Sequence, residues 1–257
     1  MPQACKKCLI FDADDTLWEN NIYFEAAIEE FLSLIGNIVS PANSISSNGP
    51  VGPDRQQVLN VLNEVERESI PQWGYGSRHF INSLKETFRR ILGESNGVAK
   101  NGAGHLGAIE EIGERLLHHP IDVMPGVIST LETLRGRYRL MLFTKGDFQE
   151  QASKVDRSGL KNHFDRIEIV EEKNIDAYHE LVLRHLLDRE STFMIGNSPR
   201  SDVLPALGAG LWAVFVPHPH TWELEHEEVE PHPRLLVAQS LRELPSLLAS
   251  VSPSQNH

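Results

Sequence analysis

Three carboxylates and a hydroxyl crowd into five residues, Asp12-Ala13-Asp14-Asp15-Thr16, directly after the apolar run Cys-Leu-Ile-Phe at 8–11. A short apolar run of this kind reads as a buried strand. Carboxylates this close repel one another unless a cation or a proton relieves them, and their hard oxygens select Mg²⁺. Asp12 and Asp14, two apart in an extended segment, point to the same side. The plainer alternative is an Asp-rich turn, since Asp side chains bond readily to nearby backbone.

Three later apolar runs also end in polar residues. The run at 139–143 leads into Thr144-Lys145-Gly146-Asp147, that at 167–170 into Glu171-Glu172-Lys173, and that at 192–195 into Gly196-Asn197-Ser198 with Asp202 close behind. Each is weak alone. Thr is common in strands, an isolated Lys after a strand is usually solvated, and Asn197 or Ser201 would serve equally as a helix cap.

The elements that must position these residues follow from periodicity. Five candidate strands lie at 8–11, 139–143, 167–170, 192–195 and 212–216. Helical patterns at 148–157, 176–187 and 203–207 separate the later ones, and Gly159 and Gly208 or Gly210 stop two of them. Alternating strand and helix predict an α/β fold, a doubly wound, Rossmann-like parallel sheet covered on both faces. Ligands in such sheets bind at the carboxyl ends of the strands, at the switch in strand order.

Roughly 110 residues separate the first strand from the helix at 127–134 that leads into the second. Within that interval 23–35, 56–65, 79–92 and 106–117 repeat apolar residues every three or four positions, as amphipathic helices do. The expectation is a catalytic core of residues 1–18 and 122–257 with an all-helical cap domain, 19–121, inserted after the first strand. The polar stretches 40–54 and 93–104 read as connections, and 241–248 as a last helix.

Taken in order, the segments resemble the haloacid dehalogenase superfamily, in its phosphatase-type members with a helical (C1-type) cap. DADDT is similar to the D-x-D-x-T signature, TKGD to the second motif, VEEK to the third, and GNSPRSD to the fourth, G-D-x-x-x-x-D. The resemblance implies a hydrolase with Asp12 as nucleophile, forming an aspartyl phosphate, and Asp14 as general acid and base. It further implies that Thr144, Lys145 and Lys173 bind the phosphoryl group, and that Asp12, Asp14, Asn197 and Asp202 surround Mg²⁺. Asn197 stands where many members have Asp and brings an amide oxygen without charge, so either Asn197 or Asp202 is the direct ligand. Asp15 replaces a frequent Gly. The implied substrate is a small phosphorylated metabolite such as a nucleotide or sugar phosphate. The cap would close over the site, with Glu19, Asn20 and Asn21 at its entry and Trp73, Tyr75, Arg78, Lys85 and Arg89 as contact candidates.

Two rivals remain. A C–halogen hydrolase shares the Asp nucleophile, but halide leaves without a proton, so an acid at position 14 favours phosphate esters. A catalytically weak binding or regulatory member is the other, and Asn197 makes it thinkable.

The 257 residues are 40% hydrophobic and 23% charged, with a formal net charge of -12. Such a chain has an acidic surface that repels polyanions, so no nucleic-acid partner is expected. No stretch reaches the roughly 20 apolar residues of a membrane helix, and MPQACKKCLIFDADD has no apolar signal segment. The expectation is a cytoplasmic protein without a membrane partner; its oligomeric state is not legible. Cys5 and Cys8 lack a second C-x-x-C to complete a zinc site and read as reduced thiols. His118-His119, His218, His220 and His226 could suggest a second metal, but His218-x-His220, amid Pro after the fifth strand, reads as exposed loop histidines, so no transition metal is expected.

Overall fold

Cys8, Leu9, Ile10 and Phe11 are each 2% exposed or less, and a strand buried on both faces belongs at the centre of a parallel sheet. The computed structural model, which describes residues 7–39, 53–93 and 102–251, places them there. Strand β1 (Cys8–Phe11) pairs in parallel with β2 (Arg139–Lys145) on one side and β4 (Thr192–Gly196) on the other. With β3 (Arg166–Val170), β5 (Trp212–Phe215) and β6 (Leu235–Val237) the order is β3-β2-β1-β4-β5-β6. The order reverses at β1, the position at which an open α/β sheet forms its ligand crevice.

Alternate residues of each central strand feed two cores. Leu9, Phe11, Leu140, Leu142, Phe193 and Ile195 pack with helices α5 (Val127–Leu134) and α9 (Leu244–Ser250) and with Val155 of α6 (Phe148–Ser158). Cys8, Ile10, Met141, Phe143 and Met194 pack with α7 (Ile175–His185) and α8 (Leu204–Gly208) on the opposite face. This is the doubly wound α/β fold. Fully burying each such side chain contributes roughly 1.5–3 kcal/mol, so the register is strongly specified.

Two elements differ from the sequence expectation. Strand β3 is an edge strand, exposed at Arg166 and only half-buried after it. Strand β6 was not anticipated, because Leu-Leu-Val is too short, and too closely preceded by Pro and His, to give a period.

The chain divides into two compact units, Met1–Asn21 with Ile121–His257, and Ile22–Pro120. Residues 19–21 fall with the sheet because Glu19 N–H donates to Asp122 O at 3.0 Å, and Asn20 and Asn21 N–H donate to the Asp15 carboxylate. The second unit is built from α1 (Asn21–Val39), α2 (Arg55–Trp73), α3 (Ser77–Leu92) and α4 (Gly102–Leu117), around Phe31, Leu62, Leu84 and Ile109. Asp54 and Gln57 form a reciprocal capping box that starts α2. That helix runs eight residues beyond its periodic stretch, through Pro71, which has no N–H to donate to the carbonyl of Arg67 and so leaves one helical bond unmade. At Gly113 an added Cβ would lie 2.1 Å from Ile81, so glycine is what lets α4 approach α3. No helix among the described residues is long and apolar enough to cross a membrane. Cys5 and most of both polar stretches, 40–52 and 94–101, lie outside the described residues.

Within the helical unit Glu66 is only 5% exposed, and desolvation pushes its carboxyl up to about 8. A carboxyl with a raised folded-state pKa binds its proton more tightly folded than unfolded, so its contribution to stability declines as pH rises from about 4.5 towards about 8. Glu66→Gln should therefore raise the melting temperature at pH 8, by at most about 5 kcal/mol of stability, and change it little at pH 5. Thermal melts at the two pH values check this.

Candidate active site

Phe11 is level with Leu142 of β2 and Ile195 of β4, so Asp12 emerges at the carboxyl edge of the sheet, its N–H bonded to Ile195 O at 2.9 Å. It is 7% exposed. Its Oδ1 lies 2.5 Å from Lys173 Nζ, and its Oδ2 accepts a hydrogen bond from the Thr16 hydroxyl at 3.1 Å. Burial, and next the nearby Asp202 carboxylate, push the Asp12 carboxyl above its ordinary range, while Lys173 pulls the other way.

Lys173 arrives from the end of β3, just before Asn174 caps helix α7 by accepting from Ala177 N–H. Its ammonium also lies 2.7 Å from Asp202 Oδ1 and 5.6 Å above the Phe143 ring. Burial works against this cation, but Asp12 and Asp202 hold it charged well above the ordinary lysine range. Asp202 sits in a π-helical turn, Pro199–Val203, opened by Ser198; such turns recur at functional sites. Its Oδ2 accepts the Ser198 N–H at 3.0 Å. An added Cβ at Gly196 would fall 2.1 Å from that same Oδ2, so glycine at the end of β4 is required for the carboxylate to lie against the strand.

Asp14 faces another cation. Its Oδ1 accepts from the Trp18 indole at 2.7 Å, and its Oδ2 from Gln151 at 2.8 Å and from Lys154 Nζ at 2.9 Å. Burial works to raise the Asp14 carboxyl, but Lys154, Gln151 and Trp18 outweigh it and leave it below its ordinary range. Lys154, 3% exposed on α6, also donates to Asn20 Oδ1 at 2.8 Å. Nothing in the sequence distinguished it from the surface lysines of an amphipathic helix; its only signal was its place on the inner stripe with Gln151 and Val155.

Thr144 is buried at the end of β2, 1% exposed. Its neighbour Lys145 directs its ammonium to Glu225 Oε1 at 2.6 Å and the Ser201 hydroxyl at 2.8 Å, so its charge is met within the protein. Glu225 belongs to the segment after β5, is 7% exposed, and was invisible in sequence as one acid in the run Glu-Leu-Glu-His-Glu-Glu at 223–228. Burial works to raise it, yet Lys145 and the Ser198 and Ser201 hydroxyls keep it below its ordinary range.

Asp15 has φ +57, the left-handed region that favours glycine. Its side chain offsets that cost by accepting the Asn20 and Asn21 N–H groups. Burial pushes the carboxyl up to about 7. His218 is not an exposed loop histidine: its Nδ1 lies 3.9 Å from Asp15 Oδ1 and its Nε2 lies 3.3 Å from Glu19 Oε2. These three residues bring donor atoms within 4.8 Å of one another. Of the helical-unit candidates, Lys85 pairs with Glu110 at 2.7 Å, Arg89 with Glu86 at 3.5 Å, and Trp73 is 74% exposed.

A hard cation fits the oxygens at this edge. Asp12 Oδ2 and Asn197 Oδ1 each lie 3.1 Å from the single Thr16 hydroxyl, giving neighbouring oxygens of the kind Mg²⁺ takes, without imidazole or sulfur. Both Asp202 oxygens, in contrast, are engaged by Lys173 and the Ser198 N–H.

The family model described as haloacid dehalogenase-like hydrolase matches residues 6–210. This chain belongs to that family and is a hydrolase. Among curated relatives it is 28% identical over 234 residues to glyceraldehyde 3-phosphate phosphatase of Methanothermobacter thermautotrophicus, covering 87% of this chain and 91% of that protein. It is 28% identical over 131 residues to the pyrimidine 5'-nucleotidase YjjG of Escherichia coli, 49% of this chain and 56% of that one; the matched segment is about half the length of the latter. A haloacid dehalogenase-like family hydrolase from Xanthomonas campestris superposes with a TM-score of 0.76 at 29% identity, over 96% of each chain.

Removing the buried ammonium leaves Asp12 and Asp202 facing each other. Lys173→Met should cost about 3 kcal/mol of stability without added metal. Mg²⁺ should then raise the melting temperature of this variant by more than that of the unaltered hydrolase, which paired thermal melts measure.

Proposed function

We propose that this hydrolase acts on phosphomonoesters of small metabolites, transferring the phosphoryl group to Asp12 and then to water, with Mg²⁺ as cofactor. The observation that carries this reading is Asp14. A second carboxylate, two residues after the nucleophile and held by four hydrogen-bond contacts from Trp18, Gln151 and Lys154, is what an alkoxide leaving group needs and a halide does not. The names of the relatives, a glyceraldehyde 3-phosphate phosphatase and a pyrimidine 5'-nucleotidase, point to the same chemistry and favour a nucleotide or sugar-type phosphate.

In this reading an Asp12 oxygen attacks phosphorus in line with the leaving oxygen, forming an aspartyl phosphate and splitting one hard step into two easier ones. Lys173, fixed between Asp12 and Asp202, holds positive charge at the nucleophile while the phosphoryl oxygens gather negative charge. Thr144, at the end of β2, offers its hydroxyl to a phosphoryl oxygen. Asp14, which Lys154, Gln151 and Trp18 hold ionised at rest despite its burial, has to take up a proton from solvent before the first turnover; it then gives that proton to the departing oxygen and recovers one from the attacking water. Asp12, the Asp14 carbonyl and Asn197 are the residues that would hold Mg²⁺, with Asp202 acting through Lys173 and the Ser198 N–H. When bound, the ion supplies neutralisation of the charge shared by nucleophile and substrate.

Mg²⁺-dependent phosphate release from a panel of nucleotide and sugar phosphates, beside halide release from 2-haloacids, tests the reading. Turnover should appear on phosphate esters, fall at least about 10³-fold in Asp12→Asn, and vanish on chelation. Halide release in place of phosphate release would sink it in favour of the dehalogenase reading. Lys154→Met should also act on the pH profile. Lys154 holds the Asp14 carboxyl low, so without it the acid form survives to higher pH, and the alkaline limb of kcat/KM should move upward. An unmoved limb would remove Asp14 from the role of general acid.

A further inference from the structure

One carboxylate outside all four motifs gathers the residues around the site. Glu225 Oε2 accepts hydrogen bonds from the Ser198 and Ser201 hydroxyls, each at 2.5 Å, and its Oε1 lies 2.6 Å from Lys145 Nζ. From there the contacts run inward. Ser201 N–H donates to Ser198 Oγ at 2.9 Å, Ser198 N–H donates to Asp202 Oδ2 at 3.0 Å, and Asp202 Oδ1 meets Lys173, which meets Asp12. Tyr178 fixes the same turn by donating to Ser201 O at 2.9 Å.

The residue type matters. An ionised carboxylate has about four acceptor sites, enough for two hydroxyls and an ammonium, whereas an amide would leave a single acceptor oxygen for those three donors. At 7% exposure, Glu225 is too buried for bulk solvent to take the place of all these partners. An ordinary surface acid after β5 would need none of them.

Resting on the phosphomonoesterase reading, we infer that Glu225 is a positioning residue for the metal and phosphoryl site: it sets the turn that carries Asn197 to Asp202 and confines the Lys145 ammonium to the strand end. Lys145 then neutralises Glu225 rather than binding the phosphoryl group, and the substrate-facing cation is Lys173. Outer partners of metal ligands typically affect metal affinity or activity by 10–100-fold when lost.

The test compares the unaltered chain with Glu225→Ala, Glu225→Gln and Ser198→Ala, and with Glu227→Gln, at an exposed position two residues on, as a control. Two readouts are taken: Mg²⁺ binding by titration calorimetry, and kcat and KM on the best ester of the panel. Glu225→Ala should weaken Mg²⁺ binding and lower kcat by about 10–100-fold, with KM changing far less, because the phosphoryl contacts of Thr144 and Lys173 remain. Glu225→Gln and Ser198→Ala, which keep more of the network, should fall between it and the unaltered chain, and Glu227→Gln should match the unaltered chain. Should Glu225→Ala fail to fold by circular dichroism, the two milder variants decide. Folded variants with unaltered Mg²⁺ affinity and kcat overturn the inference. An unaltered chain that binds Mg²⁺ but releases no phosphate overturns the phosphatase reading, while the calorimetry still decides for or against Glu225.

Discussion

Lys173 carries its ammonium into a site from which water is almost excluded, and that charge is tolerable only because Asp12 and Asp202 lie 2.5 and 2.7 Å away. The converse holds for the carboxylates, whose mutual repulsion at this depth is relieved by the cation between them. Much of the fold serves this arrangement. β1 must be central so that Asp12 emerges at the switch point, β3 must deliver Lys173 from the far side of β2, and Gly196 must leave space for Asp202.

The same logic repeats outward. The chain carries a formal net charge of -12, and the cations around the sheet edge are each met by more than one acid, Lys154 by Asp14 and Glu150 and Lys145 by Glu225 and Glu172. The contacts with Asp14 and Glu225 join segments far apart in the chain, from the first strand to the segment after the fifth. Their worth is therefore geometric as well as energetic: each fixes a loop whose own backbone bonds would leave it several conformations. Asp15, held in a left-handed conformation by the N–H groups it accepts and set near His218, does the same where the chain leaves the sheet.

Short-range physics made much of this legible. Uninterrupted apolar runs marked β1, β2, β4 and β5, because strands buried on both faces need no alternation. Apolar repeats of three and four marked the helices, with ends displaced where Pro71 and a polar last stretch masked the continuation of α2. The run at 167–170 also marked β3, though its burial was over-read, and the three-residue β6 was missed; both lie at a sheet edge, where strands bury too little to impose a full pattern.

The amino-acid order alone determined that acids, a threonine and a lysine stand at successive strand ends, since strand period and strand end are local properties. It could not say which acid meets which cation. Lys154, Glu225 and His218 looked like surface charges because their ionisable partners Asp14, Lys145 and Asp15 lie 140, 80 and 203 residues away respectively, and pairing over such separations is decided only when the sheet brings the strand ends together. The partners of Asn197 and Asp202 divide likewise: the sequence offers both oxygens, and the fold sets Asp202 against Gly196 and Lys173 while the Asn197 amide oxygen meets the Thr16 hydroxyl that also bonds Asp12.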